Sequence, residues 1–326
     1  MRYIFLIIYL SFSINWLSSI GCITNSVNYD ISNEKMSARE ISDQEIITAP
    51  RSSPAIMQMS GNPNEIYPQK WATGDGTVNN PWANDCIQKA YDSATTGGTI
   101  FLQKGYYQLS STIYIEKEIQ FIGEGMNSTI ILTADARGFQ INADDCILKG
   151  FAIDGSAQSN GNHQCINITQ SSRLLLENIE VKNAGYYGLN INDSNHSIFK
   201  NIYAHKNFRH GIHSGANISD TNQNNFYIEI NCYDNQVNGF DDRGGFDSKN
   251  NSYNKLECWN NGQHGIAIAR QEDSMLSNSA SRDNGTYGIW LSMLKNISVN
   301  NCTAIHNGVD EIVVIFSKNV SFDNMI

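Results

Sequence analysis

The sequence predicts an all-β chain, a parallel β-solenoid that begins with a short capping helix. Two observations carry the solenoid. A glycine-centred strand motif returns as "YGLNI", "HGIHS", "NGFDD", "HGIAI" and "YGIWL", with its glycines at 188, 211, 239, 265 and 288. Apolar or small residues also return at fixed distances from that glycine in every copy. A third observation carries the cap: "PWANDCIQKAYDSA" spaces Ile87, Ala90, Tyr91 and Ala94 at helical intervals, just ahead of the first strand-like run.

The N-terminal end precedes all of this. Residues 1–22 read as a signal peptide, with Arg2 as a minimal basic region, Ile4 to Leu10 as a short apolar run and Ser19-Ile20-Gly21 before a cut. That run is too short and too interrupted to span a membrane. Cys22 directly follows the cut, so the segment also resembles a bacterial lipoprotein signal, although Ser19 stands where Leu is usual. The expected location is therefore secreted or cell-surface, the surface form being anchored by lipid at Cys22. Residues 23–65 are polar, without sustained period, and read as a linker or disordered stalk. Residues 66–326 form the solenoid domain.

Within the repeats, the columns decide the architecture. Twelve residues before each glycine stand Leu176, Phe199, Tyr227, Tyr253, Leu276 and Val299. One residue after it stand Leu189, Ile212, Phe240, Ile266 and Ile289, continued by Ile312 in "DEIVVI". Seven before stand Val181, Ala204, Cys232, Cys258, Ser281 and Ala304. This is the pattern of short strands with one face buried. Four before stand Asn207, Asn235, Asn261, Asn284 and Asn307, a column able to hydrogen-bond along the stack and to accept tight turns. Leucine-rich repeats have a similar length, but the leucine pattern is missing.

The helix, "GGTIFLQKGYYQLSSTI" and the Asn-rich coils together resemble the right-handed parallel β-helix, or pectin-lyase-like, superfamily, from about residue 68 onward. That resemblance implies a glycan groove along the sheet of glycine-centred strands. Two columns would line it. The residue before glycine gives Tyr187, His210, Asn238, His264 and Tyr287; the second residue after glycine gives Asn190, His213, Asp241, Ala267 and Trp290. Arg209, Arg243 and Arg270 lie at the edges. The expected catalytic group is His210, His213, Asp241 and His264. Tyr187, Asn190, Asn238, Arg243, Arg270, Tyr287 and Trp290 are expected to hold substrate. Asp242 falls in an inward column, where an ionised carboxylate needs partners; either it is hydrogen-bonded there, with Arg243 as one candidate donor, or the strand bulges to turn it out.

Composition narrows the chemistry. The net charge of -10, with 17% charged residues, argues against a nucleic-acid binder. The cysteines from Cys86 to Cys302 lack zinc spacing, and no metal site is assigned. Glycoside hydrolysis needs two flanking carboxyls, but the column before glycine offers only Asp310. Alginate C5-epimerases are more similar: their Asn-Asp-Arg-His-Gly-Phe coil resembles "NNGQHGIAIARQ", with His264 matching the histidine and Gln263 replacing the arginine. Their Tyr-Gly-Phe-Asp-Pro-His motif would fall on "HGIHSG", where His210, His213 and Gly215 replace its tyrosine, aspartate and histidine. The implied activity is lyase- or C5-epimerase-like, on an acidic polysaccharide. A histidine or tyrosine would be the base, and either arginine or a carboxylate-bound Ca²⁺ the cation. The alternative is a non-catalytic surface protein that binds glycans or forms a scaffold. Finally, "SKNVSFDNMI" repeats "LKNISVNNCT" and no cap follows, so either the chain is a truncated product of a longer gene or a partner chain covers the end, and self-association through the last coil is expected.

Overall fold

In the central coils a long strand, bent at its middle, is followed by a short one. The structure is a computed structural model that describes residues 65–326 except 134–135, 157–160, 162, 216–220 and 246–247. The expected signal peptide, Cys22 and the expected linker up to residue 64 lie outside the described residues. Glu65, assigned to the linker from the sequence, already pairs with Thr99.

The long strands run Leu175–Lys182, Ile198–His205, Phe226–Tyr233 and Ser252–Trp259, all parallel and in register. Each carries one residue in the left-handed region: Asn178 (φ 55°), Asn201 (51°), Glu229 (56°) and Lys255 (58°). This bend lets two inward residues stand three apart, such as Leu176 and Ile179, where simple alternation would send them to opposite faces. Asparagine tolerates that conformation best. Asn201 Nδ2 donates to Asn178 Oδ1 at 2.7 Å, which ties one corner to the next.

The short strands form a second, nine-stranded parallel sheet among the described residues, from Ile113–Ile115 to Asp310–Ile315. Its register is the one read from the glycines: Leu189, Ile212, Phe240, Ile266, Ile289 and Ile312 are successive partners. These residues meet the inward rows of the long strands in one continuous core. Phe199, Tyr227 and Tyr253 stack there, with ring centroids 5.1 and 5.3 Å apart. Cys232 and Cys258 are partners in adjacent coils and remain buried thiols, so they act as small core residues.

Between the sheets runs the asparagine ladder. Asn207, Asn235, Asn261 and Asn284 each donate from Nδ2 to Oδ1 of the next, at 2.9–3.0 Å, and their backbone N–H groups bond to the same oxygens. The helix Cys86–Ser93 covers the first coils with Ile87, Ala90 and Tyr91 buried. In the last coil Val320 and Phe322 pair with Ile297 and Val299, as the repeat requires, and Phe322 is exposed.

Candidate functional site

The strands Leu189–Asn195, Ile212–Ser214, Phe240–Arg243 and Ile266–Ala269 lie side by side, so the residues two after each glycine stand in one outward row. His213 and Asp241 are neighbours in that row, and His213 Nδ1 lies 2.8 Å from Asp241 Oδ2. Arg243, two residues on and on the same face of its strand, donates from Nε to Asp241 Oδ1 at 3.0 Å. Of the two alternatives for Asp242, the hydrogen-bonded inward position is the one realised, but Arg243 is not the donor. The strand keeps Asp242 inward, while Arg243 turns out to Asp241.

Asn238 joins the groups from below. Its Nδ2 donates to Asp241 Oδ1 at 2.6 Å, its backbone N–H donates to His210 Nδ1 at 3.1 Å, and its Oδ1 accepts the backbone N–H of His264 at 3.0 Å. Asn238 is fully buried. Its side chain faces this network and not the groove, which differs from the substrate contact expected of it. His210 Nε2 points at Asp241 Oδ2 from 3.8 Å. His210, His213, Asp241 and Arg243 are thus brought into one cluster, and His264 is linked to it through Asn238. Arg270 stands one residue beyond the strand Ile266–Ala269.

Hydrogen bonding sets the tautomers. The Asp241 carboxylate accepts from Nδ1 of His213, so the lone pair of that ring is on Nε2. His210 is the reverse. Its Nδ1 accepts from a backbone N–H, so its proton sits on Nε2 and faces Asp241. Burial would raise the Asp241 carboxyl, but the His213 bond, His210 and Arg243 outweigh it and hold it well below the usual carboxylate range. Burial pushes His210 down to about 3, against the pull of Asp241. His210 is therefore neutral, with no free lone pair.

This bears on metal binding. His210, His213 and Asp241 have ligand atoms within 4.8 Å of one another. A metal on His210 Nε2 would move the ring proton to Nδ1, directly against the Asn238 N–H. Two donors would then face each other, so the set does not fit a two-histidine metal site.

Around the cluster lie aromatic rings. Tyr187 packs on His213 and His210 with centroids 4.6 and 5.1 Å away, and burial, then its bond to Tyr186, keeps its hydroxyl protonated. Arg209 lies over Tyr186 and hydrogen-bonds to its hydroxyl. On the other side His264 stacks on Tyr287 and Trp290 at 5.1 and 5.7 Å, and its Nδ1 meets Thr286 Oγ1 at 2.7 Å. Tyr186 and Thr286 were not anticipated. Both stand two before a repeat glycine, in the column of Arg209 and Gln263, which was the available sign.

Behind the row, Asp242 is wholly buried. It accepts from Tyr253 Oη at 2.8 Å, Gln271 Nε2 at 3.1 Å and the Gly244 N–H at 3.2 Å. Burial pushes its carboxyl up to about 7 in spite of these donors.

Comparison with known proteins fits this architecture. Residues 66–312 match the family described as Pel9A-like, right-handed β-helix region. No curated protein matches the chain. Among solved structures, the Azotobacter vinelandii mannuronan C-5 epimerase AlgE6 A-module superposes with a TM-score of 0.59 at 17% identity, covering 79% of each chain. The enzymatically active domain of bacteriophage CBA120 tailspike protein 2 gives 0.62 at 16% identity, over 83% of this chain and 43% of that one. A rhamnogalacturonan lyase gives 0.53 at 12% identity, over 73% and 74%. At such identities these likenesses show the fold alone. Among the described residues no helix is long and apolar enough to cross a membrane.

Proposed function

The chain belongs to the Pel9A-like right-handed β-helix family, and on that premise we propose that it acts on an acidic polysaccharide by breaking the C–H bond beside a uronate carboxylate, as a lyase or a C5-epimerase. One observation carries the reading: a histidine whose Nδ1 is held by a buried carboxylate, with an arginine on the same carboxylate. That arrangement leaves His213 Nε2 as a base of fixed orientation. Asp241 stabilises the imidazolium that forms. The Arg243 side chain is 43% exposed, so its remaining N–H groups can meet the uronate carboxylate and offset the charge that develops on it.

The second half of the reaction needs a proton donor. Tyr187, kept protonated, packs on His213. Delivery of its proton to the opposite face of the sugar carbon would complete epimerisation. Delivery to the bridging oxygen would complete elimination. Tyr287, Trp290 and His264 form an aromatic wall suited to sugar rings.

The burial of Asp241 and His213 favours a second reading, a glycan-binding scaffold in which the cluster is structural. Both are tested together by incubating the protein with a set of polyuronates in D₂O, with and without Ca²⁺. Ultraviolet absorbance reports unsaturated ends, and NMR reports deuterium at C5. The catalytic reading expects one of these signals, and its loss in His213→Gln. Binding with neither signal supports the scaffold and overturns the enzyme.

A further inference from the structure

On the N-terminal side of His213 the outward row consists of amides: Gln140, Asn167 and Asn190 are successive partners, and Asn190 is paired in register with His213. Their hydrogen bonds form one chain from donor to acceptor. Asn190 Nδ2 donates to Asn167 Oδ1 at 2.6 Å, Asn167 Nδ2 donates to Gln140 Oε1 at 2.6 Å, and Gln140 Nε2 donates to Thr169 Oγ1 at 2.9 Å. Asn190 and Asn167 give from nitrogen toward the N-terminal coils, and Gln140 gives back to Thr169 in the strand of Asn167. The relay therefore leaves one acceptor unused, Asn190 Oδ1, in the residue paired in register with His213.

That oxygen is buried and has no hydrogen-bond partner among the described residues, in a residue only 5% exposed. A buried carbonyl without a donor is disfavoured, and aligned amide bonds polarise one another, which enriches the free oxygen in negative charge. The next rung, roughly 4.8 Å on, is the imidazole.

We infer that the Gln140–Asn167–Asn190 relay is an electrostatic positioning element, whose free carbonyl end favours the imidazolium form of His213. The inference rests on the reading of His213 as the base. The relay contributes little to a neutral imidazole. Its effect grows as the proton arrives, which is the differential interaction a catalytic base needs. The ionisable groups facing His213 are Asp241 on Nδ1, His210 with its ring 5.3 Å away, Tyr187 at 4.6 Å, and Arg243 through Asp241. None of them belongs to the relay, so the relay can be altered without touching them.

The test is an NMR titration of the histidine Cε1–H resonances in the full chain, with His213 assigned by loss of its signal in His213→Gln. Asn190→Leu should move the His213 midpoint to lower pH by about half a unit or more. Gln140→Leu, two rungs away, should move it in the same direction by less. In any turnover assay, the acid limb of the pH–rate profile should move the same way while the plateau falls, because a less basic ring is ionised less but also abstracts less readily. Should Asn190→Leu not fold, Gln140→Leu carries the test. An unmoved midpoint in folded Gln140→Leu overturns the relay, as does an unmoved midpoint in folded Asn190→Leu. The titration needs no substrate. Shifted midpoints in a chain that turns over no polyuronate would sustain the relay and sink the catalytic reading.

Discussion

Along one corner of the solenoid, Asn207, Asn235, Asn261, Asn284 and Asn307 repeat one side chain, and each rung satisfies the next. Along the site sheet the outward row changes at every rung, from Asn190 to His213, Asp241, Ala267 and Trp290. Both rows are built by the same stacking of coils. In the uniform row no rung differs from its neighbours, so its hydrogen bonds can only add stability. In the varied row an acceptor is left unpaired at Asn190 and a proton is placed by Asp241. A stacked fold therefore offers a periodic frame, and chemistry enters where the sequence departs from the period.

The sharpest way to break this comparison is at Asp241. Under the proposed function, Asp241→Ala should lower polyuronate turnover about 10³-fold or more, because the base loses its tautomer and its counter-charge. It should also destabilise the chain by about 3 kcal/mol in urea melts, since the buried donors of His213 and Asn238 lose their acceptor. A variant with full turnover would place Asp241 with the structural ladder.

The reciprocal change is Asn235→Leu. It strands the Asn207 donors and the Ala204 carbonyl inside the corner, and should cost about 3 kcal/mol. Turnover per folded molecule should be unchanged. A selective loss of turnover without loss of stability would remove the distinction between the two rows.

The smallest expected effect concerns Asp242, which is inward like the core and ionisable like the site. Its folded carboxyl is raised to about 7 by burial, so between the ordinary carboxylate value and about pH 7 the folded chain holds a proton that the unfolded chain has lost. Its contribution to stability is present at acid pH and lost as pH rises through that window. His210, pushed down to about 3, acts oppositely: its contribution is present above the ordinary histidine value and fades as pH falls. The two slopes overlap, so the comparison must be between variants. Relative to the parent, Asp242→Asn should gain about 2 kcal/mol between pH 5 and pH 8. Parallel pH profiles of the two chains would show that Asp242 does not titrate there.

Much of this molecule is legible in one dimension. The spacing of Leu176, Phe199, Tyr227 and Tyr253 from their glycines already fixes which residues are partners, because a parallel stack with a repeating coil has one register that keeps every apolar column inside. The same arithmetic brings His210, His213, Asp241 and His264 to one sheet and turns Asp242 inward. Spacing is a property of the backbone, and the backbone of each coil copies the last.

What spacing leaves undecided is where side chains turn and where protons sit. Only the tertiary structure pairs Arg243 with Asp241 instead of Asp242, and only it surrounds Asp242 with Tyr253, from the facing long strand, and with Gln271 from the next coil. It alone separates two histidines of the same coil: a backbone N–H takes the Nδ1 lone pair of His210, while a carboxylate leaves Nε2 of His213 free. The physical reason is that register follows from strand periodicity and hydrophobic burial, which any window of the sequence displays. Rotamer and tautomer follow from directional bonds between residues 28 apart, and those exist only after the coils have stacked.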